Sequence, residues 1–92
     1  MNFSEFDIIK KIKKSTTAVR TFEKELAKKE KLSAENQLLA ERLGLSKNAE
    51  SEALRASNEA TINSMRAKLA EMKVAHNKFV HEHGYPSELF PE

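Results

Sequence analysis

Residues 58–83 read NEATINSMRAKLAEMKVAHNKFVHEH, and within them Asn58, Ile62, Met65, Leu69, Met72, His76, Phe79 and His83 follow one another at spacings of four and three. That alternation holds one stripe of a helix against a neighbouring helix, which is the a/d seam of a coiled coil. Forward of it, His81 and His83 suit the negative end of a helix and Gly84 supplies the stop. Backward of it, residues 46–61 are rich in Ser, Asn, Ala and Glu, and Leu54 is their only large apolar side chain, so this end of the helix is weakly anchored.

The same spacing recurs upstream through Ile12, Ser15, Val19, Phe22 and Leu26, and then meets Lys29 and Ser33. It resumes out of phase at Leu32, Asn36, Leu39 and Leu43. The slip near residues 28–32 predicts a local change in the winding of any supercoil. Leu43-Gly44-Leu45 reads as a helix end, with Gly44 left-handed and Leu45 folded back, and Ser46 or Asn48 is placed to cap the next helix. At the other end Ser4 and Asp7 form a capping pair and Phe3 can staple onto Ile8, which starts the first helix at Ser4. Phe6, Ile8, Ile9 and Ile12 share an arc, with Lys10, Lys11 and Lys14 opposite and Lys13 at its margin. Ser15-Thr16-Thr17 is a point of bending or fraying.

These signals predict an all-α chain: an N-terminal amphipathic or coiled-coil helix over 1–43, a turn over 44–48, a second coiled-coil helix over 49–83 and an extended Pro- and aromatic-bearing tail over 84–92. At 1.5 Å per residue the two helices measure roughly 60 and 53 Å, and their similar lengths and short connection favour an antiparallel hairpin. A parallel coiled coil with Gly44 as a kink is the competing geometry. Each helix buries one narrow stripe, so oligomerisation, a homodimer first, is expected to complete the fold. The expected oligomer seam comprises Val19, Phe22, Leu26, Leu32, Asn36, Leu39, Leu43, Ile62, Met65, Leu69, Met72, His76 and Phe79.

Composition narrows the function classes. Of 92 residues, 39% are apolar and one third charged, with two Gly, two Pro, no Trp and no Cys. Without Cys, disulfide frameworks, thiolate metal sites and cysteine nucleophiles are excluded. No apolar run is long enough to span a membrane, and Glu5 and Asp7 stand where a signal peptide needs a basic start, so a cytoplasmic protein is expected. Residues 1–31 carry nine basic and five acidic side chains, against seven and nine over 32–92. Lys10, Lys11, Lys13, Lys14 and Arg20 are the candidate nucleic-acid contacts, although a net charge of +2 is too balanced for a dedicated phosphate binder.

The stretch from Leu32 through Asn36 and Leu39 to Leu43 resembles a leucine zipper with a polar Asn at an a position, which implies fixed register and strand number. The basic helix of a DNA-reading zipper is missing, because Ile8, Ile9, Ile12, Val19 and Phe22 interrupt that region. The Leu-Gly-Leu run also resembles the ends of coiled coils in phage scaffolding and cell-shape proteins. His76, His81 and His83 are spaced poorly for a shared metal, and no glycine-rich phosphate loop or nucleophile–base set is present, so no catalytic, cofactor or metal residues are expected. Phe3, Phe6, Tyr85, Leu89 and Phe90 are the candidate docking residues, the last three in a segment that either folds back or engages a partner. The function expected from sequence is a non-enzymatic interaction protein, with a nucleic-acid-associated dimer as the alternative.

Overall fold

The structure is a computed structural model and describes residues 5–45, 47–84 and 89–91. Among these the chain is all-helical: α1 spans Glu5–Arg42 and α2 spans Ala49–His83. The expected Ser4 cap and Phe3 staple lie outside the described residues. Glu5 and Asp7 occupy the first turn of α1, where carboxylates favour the exposed N–H groups. The helix is continuous through Ser15-Thr16-Thr17, where Thr16 Oγ1 turns back to donate to the Ile12 carbonyl at 2.9 Å.

The link between the helices is built from local bonds. Leu45 N–H reaches the Ala40 carbonyl at 2.8 Å and Gly44 N–H the Glu41 carbonyl at 3.1 Å, the paired bonds of a Schellman ending, with Gly44 at φ 73°. Asn48 then caps α2: its Oδ1 accepts from Glu50 N–H at 2.8 Å. Gly84, at φ 65°, ends α2 with its N–H on the Val80 carbonyl at 3.0 Å. Gly44→Ala is expected to destabilise the fold by about 1 kcal/mol, because a Cβ meets no neighbour there and only the left-handed backbone resists it. Urea denaturation followed by circular dichroism measures this.

The chain divides into two compact units, each holding a stretch of both helices: residues 1–23 with 68–92, and residues 24–67. In the first, Ile8 and Ile12 pack with Val80 beside the half-buried Phe79, Ser15 meets His76, and Lys73 lies 3.7 Å from Glu23. Partner numbers fall along α2 as they rise along α1, so the helices are antiparallel. In the second, Arg66 bonds Glu30 at 2.9 Å. Both side chains of that ion pair are largely exposed, which limits its worth to under about 1 kcal/mol.

The apolar core is uneven. Of the eight buried apolar side chains among the described residues, Ile8, Ile12, Val19, Leu69, Val80 and Phe90 belong to the first unit and Leu26 and Ile62 to the second. At about 1.5–3 kcal/mol per buried large side chain, the first unit holds most of the driving force. The N-terminal arc also divides: Ile8 and Ile12 are buried, while Phe6 is 73% and Ile9 42% exposed. The four residues span too wide an arc for one helix to cover, and the pair one turn apart takes the interface.

Candidate interaction surfaces

The second unit shows why its core is thin. At about 100° per residue, Leu26, Glu30, Ser33, Gln37 and Ala40 fall on one face of α1, and Ile62, Asn58, Arg55 and Ser51 on one face of α2. Beyond Leu26 and Ile62, the facing positions are therefore polar or small. All of them but Glu30 line a groove of about 70 Å³ that also takes in Asn36, Glu41 and Leu54. Ligand pockets measure several hundred Å³, so this groove suits a few waters rather than a substrate.

The leucines lie elsewhere on α1. Leu32, Leu39 and Leu43 share an arc with Asn36, and that arc sits about 100–120° around the helix from the face holding Leu26. The slip in spacing between residues 26 and 32 thus turns the apolar stripe away from α2. The three leucines are 46, 53 and 63% exposed. Leu38, Leu45 and Leu54 are also about half exposed, and no described residue between 27 and 61 is buried. Asn36 is exposed within the stripe and borders the groove beside Leu54.

The thirteen residues of the expected oligomer seam therefore separate by position. Val19, Leu26, Ile62, Leu69 and His76 are buried within the single chain, and Phe22, Met65, Met72 and Phe79 are half-buried in it. Leu32, Asn36, Leu39 and Leu43 face outward. Sequence reading did not anticipate a further outward stripe on α2, where Ala53, Ala56, Ala60, Asn63 and Ala67 follow the same three-and-four spacing and are all exposed. Its signal was the spacing alone, which the small size of alanine disguised.

In the first unit the side chains converge on His76, which is 2% exposed. Its Nδ1 lies 2.8 Å from Ser15 Oγ, and its ring meets the Phe90 ring edge-on at 4.9 Å. Burial strips water from the imidazole and lowers its pKa below the usual 6.5. The neighbouring Asn77 grips the backbone of Phe90, which is itself 6% exposed. Phe90, a candidate for docking outward, is instead folded back into its own chain, and Leu89 beside it is 46% exposed. Phe6 points outward; Phe3 and Tyr85 lie outside the described residues. His83 tilts against Phe79 at 4.3 Å, seven residues from His76 along α2.

Lys10, Lys11, Lys13, Lys14 and Arg20 are all exposed but fan across roughly half the circumference of α1. Lys11 rests its ammonium 4.6 Å from the centre of the Phe79 ring, and Lys68 lies 5.6 Å from that of Phe22. The spread gives no single basic stripe along which a phosphate backbone would run. Among the described residues, no three His, Asp or Glu side chains cluster to hold a metal ion, and no helix is long and apolar enough to cross a membrane. No family model matches the chain, and no curated protein or solved structure matches it either.

Proposed function

We propose that the chain is a non-enzymatic coiled-coil interaction protein that pairs with a second copy and docks onto a protein partner, as a scaffold, adaptor or small inhibitor does. The observation that carries this reading is the outward stripe Leu32–Asn36–Leu39–Leu43, whose leucines are 46–63% exposed while polar residues occupy the face toward α2. Apolar area left in water in this way gains about 25 cal/mol per Å² when another surface covers it. A second copy is a natural cover, because in a parallel pairing each leucine meets its own equivalent and Asn36 meets Asn36. Two carboxamides then satisfy each other, which an apolar partner surface does not offer. The exposed Phe6 and Leu89 are the remaining candidates for contact with a different protein.

Sedimentation equilibrium across a concentration series tests the pairing. A dimer mass at tens of micromolar is expected for the native sequence. Leu39→Glu places two buried carboxylates in each dimer and is expected to weaken association by at least about 100-fold while leaving helix content unchanged. A native chain that remains monomeric at millimolar concentration overturns the reading.

A further inference from the structure

The hold on Phe90 has the form of a recognition site. Asn77 Nδ2 donates to the Phe90 carbonyl at 2.7 Å, and Phe90 N–H donates to Asn77 Oδ1 at 2.9 Å. One side-chain amide thus exchanges two bonds with the N–H and C=O of a single residue, as two facing residues do in an antiparallel sheet. Such a pair reads the extended backbone and is indifferent to the side chain. The side chain is read separately: the Phe90 ring is 6% exposed, with its centroid 4.9 Å from that of His76. Ser15 Oγ of α1 lies 2.8 Å from the imidazole Nδ1. Pro91 completes the pattern, since a residue before proline is driven into the extended region that the Asn77 amide requires.

We infer that His76 and Asn77, braced by Ser15, form a peptide-recognition site for an extended protein segment carrying an aromatic residue followed by proline, and that the chain's own Phe90-Pro91 fills it in cis. A short tether gives the cis segment an effective concentration in the millimolar range. A partner's segment at micromolar concentration enters only when it binds more tightly or when the tail is drawn away. Emptying the site and freeing the tail are the same event, so the chain presents both halves of the contact together. This inference rests on the first unit alone and stands whether or not copies pair through the leucine stripe.

The test is fluorescence anisotropy with a fluorescein-labelled peptide of residues 87–92, SELFPE, added to the full-length chain. Phe90→Ala, which vacates the ring position, is expected to bind the peptide at least tenfold more tightly than the native sequence does. That binding is expected to vanish with the peptide SELAPE and with the double variant Asn77→Ala, Phe90→Ala. Should Phe90→Ala lose helix content, Phe90→Leu removes the aromatic edge from His76 while keeping an apolar side chain, and is expected to bind SELFPE more tightly than the native sequence by a smaller factor. A folded variant that ignores SELFPE, or that takes SELAPE equally well, overturns the inference.

Discussion

Val19→Asp is expected to abolish the folded state at 25 °C. Val19 is 1% exposed, about one turn before the end of the α1 stretch of the first unit, and no cation is placed by the sequence on the same stripe of α1. A carboxylate there either ionises without a partner or takes up a proton and remains an unsatisfied polar group, at a cost of about 4 kcal/mol or more. Domains of this size hold roughly 5–14 kcal/mol in total, and a thin core places this one toward the lower end. Val19→Ala, which removes two methyl groups, is expected to cost about 1–2 kcal/mol and to keep a cooperative transition. Far-ultraviolet circular dichroism with urea denaturation separates the two outcomes. A Val19→Asp chain with native helix content and an unchanged midpoint would show that this position is not part of the core.

Lowering the pH from 7.5 to 5.5 is expected to destabilise the native chain, and His76 is expected to account for that loss. Burial disfavours the charged imidazole, so the folded chain binds this proton less readily than the unfolded chain. The contribution is therefore whole above the ordinary value of 6.5 and is lost as the pH falls below it. Other charges of the same unit are engaged nearby: Lys73 with Glu23, Lys78 with Glu82, and Lys11 over the Phe79 ring. His76→Asn keeps a hydrogen-bonding group for Ser15 and is expected to flatten the pH dependence. His76→Ala leaves the Ser15 hydroxyl and the Phe90 ring edge without it, at about 2 kcal/mol. Urea midpoints at the two pH values measure all three chains, and a slope that persists in His76→Asn would assign the effect to other groups.

The two helices and the turn between them were legible because their signals are local. Gly44 and Leu45 spell a Schellman ending, Asn48 a cap, and Gly84 a stop, and each acts within a few residues of itself. The seams were legible as spacings, yet their destinations were not. A spacing of three and four says that a stripe will be covered but not by what. Val19 and Leu69 found cover inside the chain, whereas Leu32, Leu39 and Leu43 did not. The slip between Leu26 and Leu32 was visible as a change of phase, and its outcome is a turn of the stripe by more than a quarter of the helix circumference. Fold-back of Phe90 depends on Asn77, thirteen residues earlier, whose side chain carries no periodic signal. Val80 escaped notice because it stands one position beyond the strict alternation, where it closes over Ile8 and Ile12.

The placement of the core also bears on when the chain acquires its shape during synthesis. Ile8 and Ile12 wait for Val80, Ser15 waits for His76, and Asn77 waits for Phe90. Helical turns form early because their bonds are local, but the first two of these contacts join residues more than sixty positions apart and bring a large closure entropy. A growing chain therefore carries Ile8, Ile12 and Ser15 without their cover, its leucines open to chaperones and to neighbouring nascent chains, until the stretch through Val80 has been translated.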